Sequence, residues 1–249
     1  MLYCFKENAG IGIMLSSFKI LKNAISVPVT CILYACAAGL IIYRLNGMED
    51  LLYGLRRAHS LSEINLMQLA GWLVILFMPH IANAIILERC ELIKTFTCIR
   101  TGSIQRFKLK TYAACFINSL LWSAVLWGVH LIISTGFMAE LFMVLSTHIL
   151  MWSAVTMLFY SVTNRSSVTF AFAPLICVLS IGFSCADNLY SDYLISSFGM
   201  LNRGSLFNEK GILPVVQALL NIVLSAVCII AAYIKDSSNG GIGKWKLSK

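Results

Sequence analysis

Charge is what this chain has least of. Only 12% of its 249 residues are Asp, Glu, Lys or Arg, and just 11 are acids. A soluble domain carries about twice that share. At the same time 59% of the residues are hydrophobic and the mean hydropathy is +0.81. A soluble fold of this length has too little interior to hide so much apolar surface. Composition therefore excludes the ordinary globular classes and leaves an integral membrane protein.

Chemistry-bearing motifs are missing too. The nine Cys residues contain no CxxC, which removes the usual metal and redox signatures. Cys31, Cys36, Cys115, Cys177 and Cys228 fall inside apolar runs, where Cys behaves as a small hydrophobe, so no disulfide framework is expected. There is no HExxH, no paired-carboxylate motif, and no intramembrane acid of the kind a membrane protease or proton pump needs. "GFSC" at 182–185 offers a Ser with no base beside it, which reads as a packing residue. "NGGIGKW" near the end imitates a phosphate-binding loop. The first Gly of that pattern is replaced by Ser238, and the hydroxyl residue after Lys244 is Trp245. No nucleotide site, no metal and no catalytic residue is expected in this chain. Nor do aromatics interleave with the basic residues as a strand-binding groove requires, so the net charge of +8 does not point to nucleic acid. The first long apolar run begins near Ala24 and is too long for the core of a cleavable signal peptide.

What is present is a succession of uncharged runs. They predict six transmembrane helices at about 24–43, 66–87, 111–134, 141–164, 166–186 and 211–234. Each has about 20 residues or more, and at ~1.5 Å per residue a helix of that length crosses ~30 Å of hydrocarbon. Barrel strands would be half as long and would alternate, which these do not. The expectation is an all-α integral membrane protein with a single membrane domain over 1–234 and a flexible basic tail at 235–249. If both termini are cytoplasmic, the inner segments hold fourteen of the 19 Lys and Arg residues and the outer ones five. That asymmetry favours both termini inside.

The richest basic segment is internal. "ERCELIKTFTCIRTGSIQRFKLK" at 88–110 holds six Lys and Arg and two acids, and becomes the largest cytoplasmic loop. As a helix it would gather Leu92, Phe96 and Ile99 on one side and turn Glu91 and Lys94 elsewhere. An apolar ridge flanked by charges suits a docking surface. It equally suits anionic lipid and the fixing of topology. At the N-terminus Ile11, Met14, Leu15, Phe18 and Leu21 share a helical face, which reads as an interfacial helix or as an extension of the first span. Outside, the segment 187–210 repeats Leu189, Tyr190, Tyr193, Leu194, Ser197 and Phe198 at helical spacing, so a short external or re-entrant helix is expected there.

Several intramembrane residues are candidates for a pathway or for helix interfaces: Pro79, His80, Trp122, His130, His148 and Pro174. Pro28, Pro79, Pro174 and Pro214 all fall in or at the ends of spans. Bent helices suit a transporter that rearranges, and they suit a static kink equally well. His130 and His148 fall at similar depths in adjacent spans, which allows a paired zinc or proton site or simple interhelical hydrogen bonding. Trp72, Trp122, Trp127 and Trp152 are placed either to line a pathway or to anchor at interfaces.

This layout resembles the ABC-2 class of ABC transporter permeases. More narrowly, "ILERCELIKTFTCIRTGSIQRFKLKTY" resembles the corresponding loop of small Gram-positive permeases linked to lantibiotic or other bacteriocin export and immunity. The informative positions are Glu88, Glu91, Arg100, Gly102, Ser103 and Lys110. The resemblance implies a multi-pass subunit of a bacterial plasma membrane, without ATPase activity of its own. A separate ABC ATP-binding subunit would bind ATP and Mg, and a second permease, identical or related, would complete the pathway. It also implies that 88–110 is the coupling element that seats in the ATPase. Two other readings stand beside it: a non-transporting immunity or assembly protein, and an autonomous membrane subunit that binds a small solute.

Overall fold

The structure, a computed structural model, describes residues 34, 52–55, 66–101, 104–133, 139–163, 169, 171, 175–176, 178–179, 194–203 and 212–240. Four long helices dominate: α1 (Leu66–Thr101), α2 (Ile104–Ile133), α3 (Ala139–Thr163) and α4 (Pro214–Gly240). Two 3-10 turns, Ile195–Gly199 and Leu201–Arg203, precede α4. No strand occurs among the described residues.

Each long helix contains a stretch apolar and long enough to cross a membrane: Gln68–Leu92, Phe107–Leu131, Ala139–Thr163 and Pro214–Asp236. These coincide with the expected spans two, three, four and six. The expected spans one and five, the N-terminal interfacial helix and residues 241–249 lie outside the described residues, apart from scattered helical positions such as Tyr34 and Thr169.

Two boundaries differ from the sequence reading. The second span does not end where its uncharged run ends at Leu87. α1 continues as one helix of 36 residues to Thr101. That is about 54 Å of helix against ~30 Å of hydrocarbon. Nothing between Glu88 and Thr101 breaks a helix: the segment has no Gly or Pro, and its charges are on strong helix formers. α2 then begins at Ile104, so 88–110 is the tip of an antiparallel helical hairpin. At the other boundary, α4 runs six residues beyond Ile234 to Gly240.

α3 packs along α4, and α1 packs along α2 and α3, while α4 meets α2 at few points. The buried apolar residues form two separate cores. One contains Trp72, Ile75, Leu76, Trp122, Leu126, Val144, Ile149 and Trp152. The other contains Ile86, Leu87, Cys90, Phe107, Tyr112, Met157 and Tyr160, near the α1–α2 tip.

The faces of α4 are reversed relative to a soluble amphipathic helix. Gln217, Ala218, Asn221, Ser225, Ala232 and Asp236 point inward and are buried. Val215, Leu219, Ile222, Val223, Val227, Ile230 and Ile234 point outward, each more than half exposed. Only 28% of its apolar window is buried within the chain, against 61% for α3. Such an apolar exterior fits a hydrocarbon surrounding rather than water. An all-helical architecture with four membrane-length helices and this inverted face defines a helical membrane protein.

Candidate functional site

Between the two apolar cores lies a layer of neutral polar side chains. In α1 it is His80 and Asn83, in α2 Asn118 and Ser119, and in α3 Ser153 and Thr156; all are buried. Along α1, α2 and α3 these residues separate the members of one core from those of the other, near the middle of each membrane-length stretch.

The layer is tightly wired. Tyr34 donates its hydroxyl to Asn118 Oδ1 at 3.0 Å, and Asn118 Nδ2 donates to Asn83 Oδ1 at 2.9 Å. Asn83 Nδ2 in turn donates to Ser119 Oγ at 3.0 Å and Ser153 Oγ at 3.1 Å, and the two hydroxyls stand 2.5 Å apart. Both serines keep a bond to their own helix, Ser119 to the Cys115 carbonyl and Ser153 to the Ile149 carbonyl. His80 Nδ1 meets Thr156 Oγ1 at 2.6 Å, while Thr156 also donates to the Trp152 carbonyl. In hydrocarbon an unmade hydrogen bond has no water to fall back on, so such a chain fixes the register of α1, α2 and α3 and ties Tyr34 to them. It contains no carboxylate, Lys or Arg, and its side chains are engaged mainly with one another.

Pro79 has a definite compensation. A proline cannot donate to the carbonyl four residues before it, which here is Ile75. Trp122 of α2 donates its indole N–H to that carbonyl at 2.8 Å. Helix α1 therefore passes through Pro79 unbroken.

His148 sits at the other end of the bundle from the α1–α2 tip. Trp152 donates its indole N–H to His148 Nε2 at 3.0 Å, so the imidazole proton lies on Nδ1 and is offered to Asn221 Oδ1 at 3.2 Å. Asn221 Nδ2 donates to the Phe198 carbonyl at 3.0 Å, and Gln217 Nε2 approaches the Ser197 and Met200 carbonyls. These bonds hold the two 3-10 turns against α3 and α4. Of the short helix expected within 187–210, the described residues 194–203 form these two 3-10 turns, and Leu189, Tyr190 and Tyr193 lie outside the described residues. Residues 52–55 close over it: Asn202 donates to the Gly54 carbonyl at 2.8 Å and Arg203 Nε to the Leu55 carbonyl at 3.3 Å.

His130 is engaged differently. Its ring stacks on Trp127 at a centroid distance of 5.6 Å. The two histidines thus serve different contacts, and no cluster of three metal-ligating side chains occurs among the described residues. Trp72 stacks over His148, and Trp152 meets its edge, so these tryptophans are core residues of the bundle.

At the hairpin, Glu88 and Arg89 are exposed, and Leu92 is 74% exposed although it belongs to an apolar window. Glu91 accepts a hydrogen bond from Tyr160 of α3 at 2.7 Å. Lys94, Phe96, Ile99 and Arg100 continue along α1, where the backbone alone is described; Gly102, Ser103 and Pro174 lie outside the described residues. Near the hairpin's base, Asp236 of α4 takes an ion pair from Lys108 and a 2.5 Å hydrogen bond from Tyr112.

The sequence reading missed Asn83, Asn118, Asn221 and Asp236. The first three were visible as amides within uncharged runs, which are costly in a membrane and so imply partners. Asp236 was hidden because it was assigned to the tail.

Compared with family models, curated proteins and solved structures, the chain gives no match.

Proposed function

We propose that the chain is the membrane-spanning subunit of an ABC-2-type exporter in a bacterial plasma membrane, moving an amphipathic peptide of the bacteriocin or lantibiotic kind. A separate ATP-binding subunit holds ATP and Mg and supplies the energy, and a second permease, identical or related, shares the pathway. The observation that carries this reading is the unbroken helical continuation of α1 beyond its apolar window. Its apolar window ends at Leu92, yet the helix runs to Thr101 and reverses into α2 at Ile104. A basic helical hairpin that continues past the apolar window is a suitable lever for a soluble motor, because both of its arms are continuous with membrane-length helices. The exposed Leu92 gives its root an apolar contact point.

The test is to purify the tagged chain from its native membranes in mild detergent and assay ATP hydrolysis. The reading expects a copurifying P-loop ATPase whose turnover depends on this chain. A chain that purifies alone, yet still protects cells against its peptide, would favour the immunity reading instead.

A further inference from the structure

We propose that Lys108 and Asp236, completed by Tyr112, form a latch that fastens the second arm of the hairpin to the end of α4. The idea rests on the hairpin being the coupling element and adds how its movement reaches the far helices.

The placement is specific. Lys108 lies one turn before Tyr112 on α2, so both point to the same side. Asp236 sits in the part of α4 that extends past the apolar run, and it is only 5% exposed. One carboxylate oxygen takes the lysine ammonium and the other takes the Tyr112 hydroxyl. The Lys108 side chain is 14% exposed. A charge pair this sheltered, beside hydrocarbon, cannot simply come apart into water.

The surrounding packing makes the pair a tie rather than an ornament. α4 leans on α3 along its length but touches α2 sparingly. Lys108, Tyr112 and Asp236 are thus the main polar join between the hairpin's second arm and α4. The first arm has its own join, Glu91 with Tyr160 of α3. Each arm is therefore tied to a different member of the α3–α4 pair. The same pair carries His148, Gln217 and Asn221, which hold the 3-10 turns at the opposite end. Moving the hairpin shifts the α3–α4 pair only while the ties hold. Releasing Asp236 frees the end of α4 from α2 and requires a replacement for the lost counter-charge, from water or from a charged group on the docked partner.

The test uses the full chain, depleted of cysteine, in lipid nanodiscs. Spin labels go on the exposed positions Leu109 and Tyr233, which flank the latch. The unmodified latch should give a single narrow label-to-label distance. Asp236→Asn and Lys108→Met should each broaden it towards longer distances, and Tyr112→Phe should do so partially. The exchange Lys108→Asp with Asp236→Lys should restore the narrow distribution. If Asp236→Asn fails to insert, Tyr112→Phe still provides the readout. Unchanged distances in the inserted single variants would overturn the latch. Copurification of an ATPase is scored separately. Its absence with an intact distance response would overturn the coupling role and leave the latch standing, whereas its presence with unresponsive distances would do the reverse.

Discussion

Trp122 donates its indole hydrogen to the carbonyl of Ile75, the group that Pro79 leaves without its intrahelical partner. The proline and the tryptophan on the neighbouring helix are therefore one device. It holds α1 and α2 together at the point where α1 would otherwise expose a bare carbonyl. Trp122→Phe keeps most of the ring and removes the donor. It should cost about 1–2 kcal/mol in an unfolding equilibrium in micelles or bicelles. In a Pro79→Ala background, where residue 79 donates to Ile75 itself, the same change should cost clearly less. Equal costs in both backgrounds would show that the two residues act independently.

Asn83 is the hub of the buried polar layer, joined to Asn118, Ser119 and Ser153. Asn83→Ala removes three interhelical bonds and strands the buried Asn118 Nδ2, whose Oδ1 keeps the Tyr34 hydroxyl. Such bonds average ~0.6 kcal/mol each, with stranded polar groups adding ~1–3 kcal/mol. Ser153→Ala removes less, because Asn83 keeps Ser119. The expected order of destabilisation is Asn83→Ala well above Ser153→Ala, measured by the same unfolding equilibrium.

Gly199 presses its backbone against His148. A Cβ there would stand 2.2 Å from the His148 ring, closer than any real contact. Gly199→Ala should push the 3-10 turn off α3 and strain the Asn221–Phe198 bond, at a cost of about 1–3 kcal/mol or more. Gly128, with nothing within 4 Å of its added Cβ, is the control. Gly128→Ala should be neutral or slightly stabilising in the helix interior. A thermal-unfolding comparison that ranked the two alike would contradict the placement of the turn.

Topology has its own test. Gln105 at the hairpin and Ile195 in the first 3-10 turn are both exposed, whereas Asn202 is only 8% exposed and would label poorly. Single cysteines at 105 and 195 in intact cells should react from opposite sides of the membrane, with 195 outside. Labelling of both from one side would contradict the proposed orientation.

The spans themselves were legible because an uncharged run of membrane length has few alternatives. Among the described residues, four helices long and apolar enough to cross a membrane overlap four of these runs. The polar interior was less legible. Periodicity marks which positions are apolar, but a single Asn in an apolar run shows only that it needs a partner. Which partner depends on helix rotation, so Asn83, Asn118 and Asn221 became a network only once the helices were placed. The ends differ for a simpler reason: charge was read as the end of a span, and after Ile234 as the start of a flexible tail. Lys and Glu are good helix formers, so α1 runs on through Lys94, and α4 runs on through Lys235 far enough to bury Asp236.

If the hairpin docks a separate ATPase, Phe96 on the α1 extension is the residue to change. Lys108 is unsuitable as the charge control because it is committed to Asp236, so Arg89 and Lys110 take that place. Truncated interface anchors commonly cost ~2 kcal/mol, and a buried unpaired charge costs more. The measurement is copurification of the ATPase with the full chain from native membranes, alongside membrane expression of each variant. Phe96→Asp should insert normally and lose the ATPase, while Arg89→Gln with Lys110→Gln should retain it. Retention by Phe96→Asp together with loss in the charge-neutral pair would contradict a docking ridge and leave the hairpin acting through charge.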